Sequence, residues 1–78
     1  MKLLIRNLDR SSTEDSLRAL FETQGSVQSC SLVMDESSGL SKGFAFIEMP
    51  KAGEAKAAIK NLNATDFEGS TVRVKKAQ

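Results

Sequence analysis

Hydrophobic and polar residues alternate in four separate segments of the chain, and this alternation predicts four β-strands. The segments are residues 3–8 (LLIRNL), 27–34 (VQSCSLVM), 42–49 (KGFAFIEM) and 71–76 (TVRVKK). Successive side chains of a strand point to opposite faces, so each predicted strand has one mostly apolar face and one polar face. We therefore expect a sheet that packs one face against a core.

Two other segments carry hydrophobic residues at helical spacing. Residues 14–25 (EDSLRALFETQG) follow the candidate capping residues Ser11–Thr13 and end at Gly25. Residues 51–62 (KAGEAKAAIKNL) follow Pro50, which suits the start of a helix. The apolar stripes are Leu17, Leu20 and Phe21 in the first segment, and Ala55, Ala58, Ile59 and Leu62 in the second. Both segments are therefore predicted to be amphipathic helices.

The predicted elements follow one another in the order β, α, β, β, α, β. This is the order of the ferredoxin-like split βαβ fold, which belongs to the α+β class. The two helices follow the first and third strands, so both can cover one face of a four-stranded antiparallel sheet and leave the other face in water. Residues 63–70 (NATDFEGS) are expected to form a short irregular hairpin around Phe67. We expect residues 1–78 to form a single domain.

The segment 42–49 places its aromatic residues on the same side as its charged residues. One face carries Lys42, Phe44, Phe46 and Glu48, and the other carries Gly43, Ala45, Ile47 and Met49. If the aromatic face were buried, Lys42 and Glu48 would be buried with it, and unpaired buried charge costs more than the aromatic rings gain. We therefore predict that Phe44 and Phe46 face solvent, although phenylalanine is more often buried.

Composition and charge indicate a small globular domain with a basic face. The 78 residues are 40% hydrophobic and 27% charged, and 11 basic against 10 acidic residues give a net charge of +1. The predicted open face nevertheless has five cations and one acid: Lys2, Arg6, Lys42, Arg73, Lys75 and Glu48. The helices carry the acidic residues Glu14, Asp15, Glu22 and Glu54. A flat aromatic surface flanked by cations can stack unpaired bases and contact phosphates.

Other classes of function lack the residues that they need. The chain has no histidine, its one cysteine, Cys30, has no activating base, and no phosphate-binding GxxxxGK[ST] loop occurs. Asp35 and Glu36 lack the further acidic ligands of a calcium loop. We expect no enzyme activity, no metal and no cofactor. No secretory signal opens the chain and no apolar run approaches a membrane span of roughly 20 residues, so we expect a cytoplasmic protein. We also expect a monomer.

With these elements in place, the chain resembles the RNA recognition motif family from Lys2 to Ala77. Residues 42–47 (KGFAFI) resemble the longer family signature: a basic residue, glycine, an aromatic, glycine or alanine, phenylalanine and an aliphatic. Residues 3–8 (LLIRNL) resemble the shorter signature, except that its second position is aromatic in the family. In length the chain resembles the small single-domain RNA-binding proteins of bacteria.

The resemblance implies a role for individual residues. Phe46 is expected to stack on one base, Phe44 to pack against riboses, and Lys42 to contact a phosphate. Leu4 stands where the family stacks a second base, and because leucine has no π-face, this position is expected to weaken binding by about 1 kcal/mol or more. Residues after the last strand often cross the nucleic acid in the family, which would add Lys76. The complete predicted interface is Lys2, Leu4, Arg6, Lys42, Phe44, Phe46, Glu48, Arg73, Lys75 and Lys76.

Two functions remain open at this point. The first is binding of single-stranded RNA, with single-stranded DNA as an alternative ligand because stacking does not require the 2′-hydroxyl. The second is a protein-interaction module of the same fold, which would use its sheet or helix face to hold a protein partner. Leu4 and the near-neutral net charge favour the second function, whereas the paired phenylalanines and Lys42 favour the first.

Overall fold

The computed structural model describes residues 1–77, and Gln78, the last residue of the predicted domain, lies outside the described residues. The elements in chain order are β1 (Lys2–Arg6), α1 (Glu14–Glu22), β2 (Ser29–Met34), β3 (Ser41–Glu48), α2 (Ala52–Leu62), β4 (Thr65–Phe67) and β5 (Ser70–Lys76). The strands form one antiparallel sheet in the spatial order β2-β3-β1-β5-β4. Neither helix is long and apolar enough to cross a membrane within residues 1–77.

The α+β class and the ferredoxin-like order of elements agree with the prediction, but the sheet has five strands rather than four. The additional strand is β4, where Thr65 lies opposite Val72 and Phe67 lies opposite Ser70. The turn between β4 and β5 contains Glu68 and Gly69, which both adopt positive φ angles. The predicted hairpin around Phe67 is thus regular enough to extend the sheet. A strand of three residues is too short for its alternation to be recognised in the sequence.

One hydrophobic core lies between the sheet and the two helices. The sheet contributes Leu3, Ile5, Ala45, Ile47, Met49, Val72 and Val74, and the helices contribute Leu17, Phe21, Ala55, Ala58 and Leu62. These are the positions that the strand alternation and the helical stripes predicted to face inward. Because both helices pack on the same face, the opposite face of the sheet remains open to solvent.

The start of α1 is fixed by the last of the three candidate capping residues. The Thr13 hydroxyl accepts a hydrogen bond from the Ser16 backbone N–H, and the Ser16 hydroxyl accepts one from the Thr13 N–H. This reciprocal capping box satisfies backbone donors that have no partner inside the helix. The helix ends at Glu22 with Thr23 as its C-cap, so it stops before Gly25, the predicted end.

The edge strand β2 departs from simple alternation near its end. The register with β3 shifts between Leu32 and Met34, and Met34 is 47% exposed although the alternation put it on the face of Leu32. The pair Leu32–Ala45 is followed by the pair Met34–Ser41, so β2 advances two residues while β3 advances four, and the extra residues lie on β3. On the outer side of β2, the Leu32 backbone N–H donates to Glu14 Oε2 at 2.9 Å. A side chain of α1 therefore occupies a backbone donor at this edge of the sheet.

Candidate nucleic-acid interface

The open face of the sheet carries the two phenylalanines of β3. Both Phe44 and Phe46 are partly exposed, and their ring centroids are 6.2 Å apart with an interplanar angle of 89°. This edge-to-face arrangement is a favourable geometry for aromatic pairs. Leu4 of β1 is the cross-strand partner of Phe46. We call Leu4, Phe44 and Phe46 the aromatic platform.

The register of β3 determines which side chains reach this face. Ala45, Ile47 and Met49 are fully buried against the core. A slip of one residue would exchange the two faces and place Lys42 and Glu48 in the apolar layer, which is unfavourable without partners. The buried side of β3 therefore holds Phe44 and Phe46 at the surface, as the alternation predicted.

Cations surround the aromatic platform. The Lys2 Nζ atom lies 4.7 Å from the centroid of the Phe46 ring, which is a cation–π distance. Lys75 lies opposite Leu4 in the pairing of β1 with β5, and Arg6 lies opposite Arg73. Like charges that are directly opposite across a strand pair destabilise a sheet. Within residues 1–77, no carboxylate forms an ion pair with either arginine. A bound anion would relieve this repulsion.

Glu48, the acidic member of the predicted interface, lies at one end of the face. Its Oε2 atom is 3.4 Å from the N-terminal amino group of Met1, and its cross-strand partner is Lys2. The carboxylate is therefore partnered by a positive charge at the end of β3. The remaining predicted residues of the open face are basic or apolar.

The structure also adds a residue that the sequence analysis did not include. Arg10, in the loop between β1 and α1, lines a cleft of about 220 Å³ together with Arg6, Asn7, Leu8, Lys42, Gly43 and Phe44. Its Nη1 atom donates to the Ser41 carbonyl at 2.7 Å, 31 residues away in the sequence. The one signal in the sequence was a basic residue shortly after the Asn-Leu pair that ends the shorter signature.

The other notable features lie away from the open face. A second cleft of about 440 Å³, between the start of α1 and the end of β2, is lined by Ser12, Thr13, Glu14, Asp15, Leu32 and Met34. Burial, with the nearby Glu14 carboxylate, raises the pKa of the Cys30 thiol, which disfavours the reactive thiolate. No group of three or more potential metal ligands occurs among the described residues.

Comparison with known proteins identifies the family of this chain. The family model described as the RNA recognition motif matches residues 3–73. The chain belongs to the RNA recognition motif family. This RNA recognition motif is 37% identical over its whole length to a protein from Nostoc sp. that is named putative RNA-binding protein RbpB, of which it covers 76%. It is also 41% identical, over 97% of its length, to nucleolin from Xenopus laevis, but it spans only 11% of that protein.

A solved structure with bound RNA has a similar fold. The Sxl-lethal protein/RNA complex superposes on this RNA recognition motif with a TM-score of 0.93 and 28% sequence identity. The match covers 99% of this chain and 46% of the other.

The last predicted residue of the interface does not lie on the open face of this RNA recognition motif. Lys76 is the cross-strand partner of Leu3, whose side chain is fully buried on the helix side. Cross-strand partners project to the same side of a sheet, so Lys76 extends from the end of β5 on the side of the helices. The resemblance implied a contact of Lys76 with the nucleic acid because residues after the last strand often cross it in the family, and that contact stays a prediction. The structure brings the other nine predicted residues together on one face.

Proposed function

We propose that this RNA recognition motif binds single-stranded RNA on the open face of its sheet. Phe46 stacks on one base, Phe44 packs against the riboses beside it, and Lys42 contacts a phosphate. The observation that carries this proposal is the contact of two partly exposed phenylalanines on a sheet face whose surrounding charges are mostly positive. The Sxl-lethal protein/RNA complex, which has a similar fold, and the name of RbpB as a putative RNA-binding protein support the choice of ligand.

The energetics favour weak to moderate affinity with modest sequence preference. Stacking of a base on an aromatic side chain contributes about 1–3 kcal/mol, and it tolerates all four bases because each has a π-face. Phe46 provides one complete stacking position, whereas its neighbour Leu4 provides only apolar contact. Lys2, Arg6, Lys42, Arg73 and Lys75 add an electrostatic contribution that salt weakens.

A protein-interaction module is the second candidate, and the cleft between α1 and β2 is the feature that favours it. Leu32 and Met34 contribute apolar side chains to the lining of this cleft, and Glu14 and Asp15 contribute acidic ones. Charge complementarity would select a basic peptide that inserts an apolar side chain. Because this cleft lies away from the aromatic platform, the two functions predict binding at different places.

An NMR titration separates the two candidates. Amide shifts are followed as RNA or DNA oligomers of about eight nucleotides and of differing base composition are added, at about 50 and about 200 mM salt. RNA binding on the open face predicts shifts in β1 and β3 that weaken with salt. Shifts confined to α1 and β2, or no shifts at low salt with any oligomer, contradict the proposal. A DNA response equal to the RNA response shows that the 2′-hydroxyl is not read.

Phe46→Ala tests the stacking residue itself. Loss of one stacked base is expected to lower the affinity by about 5- to 150-fold, which corresponds to about 1–3 kcal/mol. Phe67→Ala is the matched control because Phe67 is also a partly buried phenylalanine on a strand, but it packs against the core. Amide spectra establish that both variants are folded. Equal loss of affinity in the two folded variants would show that Phe46 has no specific role.

A further inference from the structure

A cationic cleft lies beside the aromatic platform, where β1 ends and β3 begins. We define it by Arg6, Arg10 and Lys42 together with Asn7, Leu8 and Gly43, and its volume is about 220 Å³. Three of its lining residues are cations and none is acidic. Phe44 also lines it, so the cleft adjoins the surface proposed to hold the riboses.

Arg10 is held in place by a backbone contact. Its Nη1 atom donates to the Ser41 carbonyl at 2.7 Å, which ties the loop after β1 to the first residue of β3. A guanidinium has five N–H donors, so this bond leaves others for a ligand. None of the ion pairs in the described part of the chain involves Arg10, Arg6 or Lys42. The charge in the cleft is thus positioned and is not neutralised by a carboxylate.

One wall of the cleft forms where the backbone of Gly43 closely approaches the loop that carries Leu8 and Arg10. The Leu8 N–H donates to the Gly43 carbonyl at 2.8 Å, and Gly43 has a φ angle of +84°. A Cβ atom at residue 43 would lie 3.3 Å from the Leu8 carbonyl oxygen and 3.4 Å from Arg10 Nε. Glycine therefore allows the loop that carries Arg10 to lie directly against β3. This gives a physical reason for glycine at the second position of the KGFAFI segment.

We propose that Arg10 binds a backbone phosphate of the RNA strand in the cationic cleft, together with Arg6 and Lys42. This inference rests on the proposed function, because the phosphate belongs to the strand whose riboses pack on Phe44. Arg10 is outside both sequence signatures, and its loop position gave no indication that it would reach β3. The planar guanidinium of arginine can donate two parallel hydrogen bonds to a phosphate, which fixes the position of the strand as well as attracting it.

Arg10→Gln tests the proposal because glutamine removes the charge and keeps an N–H donor for the Ser41 carbonyl. The affinity for the RNA oligomer is expected to fall about 3- to 10-fold at low salt. A plot of log affinity against log salt is expected to become shallower by about 0.7, the contribution of one single-strand phosphate. The control is Arg18→Gln on α1, where Arg18 pairs with Glu22, and its salt slope is expected to match that of the wild type.

Oligomers with a single uncharged methylphosphonate linkage locate the phosphate. At one linkage, the neutral group is expected to weaken binding by the wild type but to have little further effect on Arg10→Gln, because both changes remove the same contact. Additive effects at every linkage, or an unchanged affinity and salt slope in Arg10→Gln, would overturn the phosphate site. If that result accompanies strong loss of binding in Phe46→Ala, only the cleft is rejected. If Phe46→Ala also binds normally, the proposed function fails as well.

Discussion

Leu4→Phe should restore the second stacking position and strengthen RNA binding. Leu4 lies opposite Phe46 in the pairing of β1 with β3, and Lys75 flanks it from β5. Directly opposed residues on one face have Cβ atoms about 4.5–5.5 Å apart, so a ring at position 4 would lie beside that of Phe46. A base that now rests on the leucine side chain would then rest on a π-face.

The expected gain follows from the difference between a leucine and a phenylalanine under the same base. Complete stacking contributes about 1–3 kcal/mol relative to alanine, and leucine already supplies part of this by apolar contact. We therefore expect about 1 kcal/mol from Leu4→Phe, or about a 5-fold lower dissociation constant. The new cross-strand aromatic pair should also leave the free energy of unfolding unchanged or raise it by up to about 1 kcal/mol.

Fluorescence anisotropy with labelled RNA oligomers measures the affinity, and thermal unfolding followed by circular dichroism measures the stability. Ala19→Phe is the control, because it adds an aromatic ring at an exposed position of α1 away from the aromatic platform. It should not change the affinity. If folded Leu4→Phe binds no oligomer more tightly than the wild type, no base lies over position 4 and the extent of the aromatic platform is wrong.

Two further predictions concern the stability of the fold. Gly43→Ala should lower the free energy of unfolding by about 1–3 kcal/mol, because alanine is strained at a φ of +84°. The control Gly53→Ala, in α2, should raise the free energy of unfolding by about 0.5–1 kcal/mol. Urea unfolding in which Gly43→Ala is as stable as Gly53→Ala, or more stable, would contradict this prediction. Hydrogen bonds from Ser37 and Ser38 lower the pKa of Asp35 below its ordinary value of 3.8, so its stabilisation is present above that value and is lost as the pH falls through the lowered pKa. The stability of Asp35→Asn should therefore decline less in acid than that of the wild type, and parallel profiles in urea unfolding from pH 7 downward would refute this.

The faces of the central strands could be predicted from the sequence because alternation has only two phases. On β3, one phase buries Ala45 and Ile47 and the other buries Lys42 and Glu48, so charge decides between them. The same reasoning identified the core side of β1 and β5. The positions of most proposed interface residues follow directly from that choice.

The remaining features depend on contacts between distant residues, which periodicity does not encode. The position of Arg10 is set by its bond to the Ser41 carbonyl, and no local pattern indicates that contact. Met34 is exposed because the pairing of β2 with β3 shifts within the strand, which alternation alone cannot predict. For Lys76 the alternation along β5 and the structure agree on the helix side, and the contact with nucleic acid that the family resemblance implies stays a prediction.

The structure of the two edge strands affects how this domain behaves at high concentration. An unpaired strand edge can recruit a strand from another molecule, and exposed aromatic residues increase that risk. On one side, β4 has only three residues. On the other, the pairing of β2 with β3 is irregular after Leu32, and the Glu14 carboxylate accepts a hydrogen bond from the Leu32 N–H. Both edges are thus poor templates for intermolecular strand pairing, which allows the sheet to expose Phe44 and Phe46 with little tendency to assemble into fibrils.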